Sequence, residues 1–206
     1  MRTMVRAALR GKGPRARTQL EQLSALIDQR DGYTAAHSRR VVTLSVALGE
    51  QLGLPTDDTL VVRQAALSHD IGKLAIPDSI LLKPAALSKS EWRVMRSHAV
   101  KGAAIVADLG FCKETIDAVR YHHEHFNGSG YPSGLAGEEI PLAARIVHVA
   151  DAIDSMTSKR VYQQARPLSA AVREIRSGSG NQFCPQCVEG LDGALKASGL
   201  VRAPRP

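Results

Sequence analysis

Apolar residues recur at spacings of three and four from Leu20 almost to the end of the chain, and no stretch alternates with a period of two. Such a chain can only pack helix on helix, because each apolar stripe must bury itself against another of its kind. Leu20, Leu23 and Ile27 predict a first helix that breaks at Asp31-Gly32. Val41, Leu44, Leu48 and Leu52 predict a second, stopped by Gly53 and Pro55, with His37 in its first turns. Thr56 or Asp57 is expected to cap a third helix through Val61, Ala65 and Leu67, which delivers His69 and Asp70 at its C-terminal end. The segment from Ile71 to Pro84, interrupted by Gly72 and Pro77, reads as an ordered loop. Ser88 with Glu91 makes a capping-box signature ahead of one helix carrying Trp92, Met95, Ala99, Gly102 and Val106, with His98 near its packed face. A shorter helix from Thr115 to His123 leads into a loop with Gly128, Gly130, Gly134 and Gly137, and loops of that length usually have a task. Leu142, Ile146, Val149 and Ile153 mark a further helix with Asp151 beside the stripe, and the last two start near Leu168 and Pro185.

The fold class is therefore all-α, a single domain of ordinary size within the 206 residues. Its expected extent is 18–197, preceded by a basic, disordered segment at 1–17 and followed by a flexible tail at 198–206. The formal charge of +7 is concentrated at the ends, with Arg2, Arg6, Arg10, Lys12, Arg15 and Arg17 all preceding the first acidic residue, Glu21. The body is close to neutral, and aromatic residues make up only 4%, so platforms for stacking polynucleotide bases are few. Nucleic acid is not the expected partner; the basic start reads as a solvated terminus or an anchor, and nothing else supports an organellar transit peptide. No run reaches the roughly 18 apolar residues of a membrane span. Cys112, Cys184 and Cys187 are an odd number and cannot complete a disulfide framework, which points to the cytoplasm. Cys184 and Cys187 form one C-x-x-C, half of a zinc site at most.

Chemistry is carried by His37, His69, Asp70, His98, His122, His123 and Asp151, separated by 32, 1, 28, 24, 1 and 28 residues. Each long gap is about one helix plus one loop, so packed helices can bring all seven to one focus. A lone histidine on a helix face is more often a hydrogen-bonded core residue; the joint pattern of two adjacent pairs and three spaced singles is what favours ligation. Seven imidazole and carboxylate donors are too many for one tetrahedral ion and suit two of iron, manganese, zinc or nickel. Adjacent helical residues project about 100° apart, so His69 and Asp70 suit a shared site in which Asp70 bridges, and His122 and His123 are expected to divide likewise. Two ions roughly 3.5 to 4 Å apart can hold a hydroxide at neutral pH and aim it at phosphorus, which is phosphodiester hydrolysis. Lys73 and Arg160 are the candidate phosphate contacts.

The strings HDIGK at 69–73, HHEHFNGSGYP at 122–132, VADAIDSMTSKRVY at 149–162 and NQFCP at 181–185 resemble those of the HD-GYP family, a branch of the HD-domain metal-dependent phosphohydrolases. The resemblance covers about residues 20 to 195. It implies an HD-domain helical fold with five core helices, additional helices and a Gly-rich GYP loop. It further implies a di- or trinuclear centre, usually of iron or manganese, and hydrolysis of cyclic di-GMP to pGpG and often to GMP. All seven donors match the family's metal ligands. Asp70 and Lys73 match its catalytic positions, Lys73 and Arg160 its phosphate contacts, and Gly130, Tyr131 and Pro132 the loop that shapes the nucleotide pocket and meets regulatory partners. A glutamate that holds a third ion in some members is replaced by Tyr33, so two divalent ions are expected. Gln163 stands where several members carry a second basic side chain, Asn127 where aspartate is frequent, and Cys184 in place of the usual aspartate.

The resulting expectation is a cytoplasmic cyclic di-GMP phosphodiesterase of bacterial second-messenger signalling, with signalling proteins at the GYP loop and a homodimer among its expected assemblies. The alternatives are a binding or interaction module with little catalysis, and a phosphodiesterase for another cyclic dinucleotide or for pGpG. Many relatives carry a sensory or receiver domain ahead of this one, where this sequence has a short basic segment, so regulatory input is expected from a separate protein.

Overall fold

The computed structural model describes residues 13–31, 37–158 and 164–200, so Tyr33, Arg160, Gln163 and most of the basic start lie outside the described residues. Among these residues there is no strand, only isolated bridges between Asn127 and Ala136 and between Ser179 and Phe183. The helices are α1 (Pro14–Arg30), α2 (His37–Gln51), α3 (Thr56–Ser68), α4 (Asp78–Leu81), α5 (Lys89–Arg96), α6 (His98–Asp108), α7 (Lys113–Tyr121), α8 (Leu142–Thr157), α9 (Leu168–Ser177) and α10 (Pro185–Ala197). Two short 3-10 turns, Ile71–Ala75 and Gly137–Glu139, complete the set.

Helix α2 is central, packing against α3, α8 and α10, while α6 lies on α7 and on the 3-10 turn at Ile71–Ala75. The expected stripe holds: Val41, Leu44 and Leu48 are buried, each such side chain contributing roughly 1.5–3 kcal/mol by leaving water. Gly53 ends α2 at φ 72°, and the Leu54 amide reaches back to the Gly49 carbonyl at 3.0 Å, closing the helix end before Pro55.

Four local expectations are corrected. Helix α1 begins at Pro14, so residues 14–17 are helical and do not belong to a disordered segment. Pro55, with neither Thr56 nor Asp57, occupies the cap of α3, and Thr56 is already the first helical residue. The stretch from Ile71 to Pro84 contains a 3-10 turn and α4, because Arg30 of α1 donates to the carbonyls of Lys73, Leu74 and Ile76 at 2.9 to 3.2 Å and fixes the segment from outside it. The helix expected to run unbroken from Ser88 to Val106 is two helices divided at Ser97, whose hydroxyl donates to the Val94 carbonyl at 2.6 Å and competes with the helical ladder. The capping box is present as expected, Ser88 Oγ accepting from the Glu91 amide and the Glu91 carboxylate from the Ser88 amide.

Candidate metal centre

The seven donors arrive from helix ends and helix faces and meet in one place. His69 and His122 each cap the C-terminal end of a helix, α3 and α7, and His98 opens α6 just after the break at Ser97. In all three, Nδ1 lies 2.7 to 2.9 Å from the carbonyl three residues back, that of Ala66, Met95 or Val119. A carbonyl can only accept, so Nδ1 carries a proton, the helix end is satisfied, and Nε2 is turned to the centre. His37 reaches the same state through a carboxylate, with Nδ1 2.7 Å from Asp154 Oδ2. Asp154 is held in turn by Arg40 Nη2 at 3.0 Å and by the Ser158 hydroxyl at 3.2 Å. This is the outer arrangement that orients imidazole ligands at metal sites.

Asp70 stands between two sets of donors. Its Oδ2 is 3.4 Å from His69 Nε2, and its Oδ1 is 3.5 Å from His98 Nε2. One set is His37, His69 and Asp70; the other is Asp70, His98, His122 and His123; within each, one donor atom per residue lies within 4.8 Å of the others. Asp151 Oδ1 faces the first set at 3.7 Å from His37 Nε2 and 3.8 Å from His69 Nε2. His122 and His123 both fall in the second set.

Electrostatics suit a divalent cation. Burial pushes His98, His122 and His123 below the ordinary imidazole value, His122 to about 3, and neighbouring imidazoles add to the effect at His122 and His123. These side chains are neutral donors at physiological pH. His69 moves the other way, to about 9, since the carboxylates of Asp70 and Asp151 together outweigh the opposing effect of burial. Both carboxylates stay ionised despite burial, Asp70 through Lys73 and His69, Asp151 through His69 and His37. The Nε2 atom of His69 is fully buried and has no hydrogen-bond partner, a cost that a bound cation would remove. The donor chemistry and this orphaned atom both fit divalent metal ions.

Around the donors, Lys73 lies with Nζ 2.8 Å from Asp70 and 2.6 Å from Asp31. Gly130 folds over the backbone of residues 123–125; a Cβ there would lie 2.2 Å from the His125 amide nitrogen, so no other residue fits. Tyr131 stacks on His123 with ring centroids 4.8 Å apart, and the Tyr131-Pro132 peptide is cis. Burial raises the Tyr131 phenol further above its ordinary value, so the ring is a neutral wall of the site.

Several members of the site escaped the sequence reading. Buried Glu124 accepts from the amides of Ser133 and Gly134 at 2.7 and 3.1 Å and ties down the far side of the GYP loop. Asp154, one helical turn past Asp151, was legible as a same-face neighbour. Asp31 pairs with Lys73 from a distant helix end and left no local signal. Of the departures, Asn127 accepts from both the amide and hydroxyl of Ser129, as an aspartate would. Cys184 takes the N-cap of α10 without a side-chain cap bond and lies 3.3 Å from Arg145 Nη1. The Cys187 thiol and Arg145 lower the Cys184 thiol to about 5 against the opposing effect of burial.

An all-helical bundle in which helix ends gather histidines and aspartates around a shared carboxylate defines a histidine–aspartate metal-site domain. A family model described as HD domain matches residues 21–187, and the chain belongs to the HD-domain family. Its relatives include the cyclic di-GMP phosphodiesterase response regulator RpfG of Xanthomonas campestris pv. campestris, 41% identical over 179 residues that make up 86% of this chain and 47% of that protein. The 3'3'-cGAMP-specific phosphodiesterase 3 of Vibrio cholerae is 36% identical, with 82% and 37% covered. Among solved structures, that of the V. cholerae cyclic GMP-AMP phosphodiesterase V-cGAP3 superposes with a TM-score of 0.70 at 21% identity, covering 90% of this chain and 50% of that one, and shares the fold. The chain spans about half the length of the curated relatives it matches or less. Among the described residues no helix is long and apolar enough to cross a membrane.

Proposed function

We propose that this chain hydrolyses cyclic di-GMP to linear pGpG, and onward to GMP, with two divalent ions, iron or manganese, held by His37, His69, Asp70 and Asp151 on one side and by Asp70, His98, His122 and His123 on the other. The observation that carries this reading is Asp70, whose two oxygens face two different sets of donors. A pair of divalent ions, when bound, supplies an activated water at neutral pH and neutralises charge on both the entering and leaving oxygens of a phosphodiester.

The chain's own residues do the rest. His37, His98 and His122 keep Nδ1 engaged so that Nε2 faces the centre, and His69 does the same once its second proton leaves, so little reorganisation of the rings is needed on binding. Lys73, held at Asp70, places an ammonium where it can donate to a phosphate oxygen as charge develops. Tyr131, stacked on His123, and the tightly packed Gly130 form one wall of the site. Arg160 is assigned a substrate phosphate from the family resemblance. The hydrolytic unit includes all of α1 from Pro14 and runs to residue 197, acting in the cytoplasm, with the GYP loop as a docking point for signalling proteins and a homodimer as the assembly.

The names of curated relatives support the substrate; the 3'3'-cGAMP specificity of one relative supports a second reading, hydrolysis of that dinucleotide. Protein loaded anaerobically with iron or manganese should be given cyclic di-GMP, 3'3'-cGAMP and pGpG in parallel, and the products separated by chromatography. Conversion of cyclic di-GMP to pGpG and GMP is expected. Cyclic di-GMP left intact by protein that carries two ions per chain would overturn the substrate.

A further inference from the structure

Tyr131 is the second ring in a longer stack. The guanidinium of Arg96 lies over the outer face of the site, its carbon 5.1 Å from the Tyr131 ring centroid and 5.9 Å from that of Trp92. Trp92, Arg96, Tyr131 and His123 therefore form a continuous column whose inner end is a candidate metal ligand and whose outer end is an indole. Helix α5 sets the spacing, since Trp92 and Arg96 are four residues apart on one face. Trp92 is 48% exposed, so about half of its surface is open to a ligand. Arg96 is exposed too, and no carboxylate or carbonyl holds its guanidinium among the described residues.

We propose that Trp92 and Arg96 form a binding platform for a guanine base of the cyclic dinucleotide, at the mouth of the metal centre. This rests on the phosphodiesterase reading and adds to it the residues that recognise the base. A phosphodiester seated over the donors carries its bases outward toward the rim, where the column ends. The indole offers a flat face for stacking, which is indifferent to the base. The guanidinium carbon lies over the Tyr131 ring and no carboxylate or carbonyl among the described residues takes up its N–H groups, which leaves them available to a ligand. Those groups match the O6 and N7 acceptors on one edge of guanine, whereas adenine presents an amino donor at the corresponding position. Stacking thus gives affinity, and Arg96 gives preference for guanine.

Steady-state kinetics on the metal-loaded chain test the platform. Trp92→Ala is expected to raise KM for cyclic di-GMP about five- to a hundredfold, with kcat changed less than threefold, the range that stacking on an aromatic side chain supplies. Trp92→Phe keeps a ring and is expected to restore most of the loss, which separates stacking from damage to the fold. Arg96→Ala is expected to reduce the preference for cyclic di-GMP over cyclic di-AMP at least tenfold. Because Trp92 is the single tryptophan of the chain, its emission reports contact directly, and saturable quenching by cyclic di-GMP is expected. An unchanged KM in Trp92→Ala, with wild-type turnover intact, removes the platform and leaves the hydrolase reading standing. If the wild type does not turn over cyclic di-GMP, the hydrolase reading falls and quenching alone decides the platform: saturable quenching retains it, and unaltered emission removes it.

Discussion

The decisive detail at the level of single residues is where each imidazole keeps its proton. Four of the five histidines donate through Nδ1 to a carbonyl or to Asp154, and this aims Nε2 at the centre. Asp154→Asn places an amide beside His37 Nδ1, and its N–H can reverse the tautomer so that Nε2 is blocked. Metal affinity is expected to fall about 10- to 100-fold, measured by competition with a chelator; wild-type affinity in this variant would contradict the orienting role. His69 carries a testable sign. In the metal-free fold its imidazole keeps a proton up to about pH 9, and a ligand must release that proton. Metal uptake near pH 7 should therefore release a proton, and apparent affinity should rise with pH toward about 9. Calorimetry in buffers of different ionisation enthalpy checks this, and an identical heat in all buffers would contradict it. The seven donors were legible in sequence because histidines and aspartates recurring at helix-plus-loop intervals are brought to one focus by helix packing. Asp31, Glu124 and Arg30 were not, because each acts on a partner that only the fold brings near.

Among elements, the tightest constraint is the crossing of the Ile71–Ala75 turn over α6. A Cβ on Gly72 would lie 1.9 Å from the His98 carbonyl oxygen and 2.4 Å from the Gly102 amide nitrogen, both backbone atoms with nowhere to go. Gly72→Ala is expected to destabilise the protein by about 1–3 kcal/mol or more and to weaken metal binding, since it pushes His98 away from Asp70. Denaturant unfolding together with metal titration checks both effects. A purely local effect is expected at the exposed capping box: Ser88→Ala should cost on the order of 1 kcal/mol without altering metal affinity. Helix existence was readable from apolar spacing alone, as Val41, Leu44 and Leu48 illustrate. The break at Ser97 was not, because Met95, Ala99 and Gly102 continue the period straight through it and the interruption comes from one hydroxyl. Nor was the order in residues 71–81, whose carbonyls are satisfied by an arginine more than 40 residues earlier.

For the molecule as a whole, the fold gathers two carboxylates and five imidazoles into one centre, with His37, His69, Asp70, His98 and His122 buried, an arrangement that is costly without a cation. Bound ions should therefore stabilise the native state strongly. At a free metal concentration about 100-fold above Kd the gain is roughly 2.7 kcal/mol, and chelation should lower Tm by about 5–10 °C for a chain of this size. A Tm indifferent to chelation would place the metal elsewhere. Whether the seven donors form one paired centre around Asp70 is decided by metal analysis of purified wild type beside Asp70→Ala. Two ions per chain are expected in the wild type, with both sites depleted and turnover abolished in the variant. Two ions retained by Asp70→Ala, or full activity in it, would contradict a carboxylate shared between the two sites.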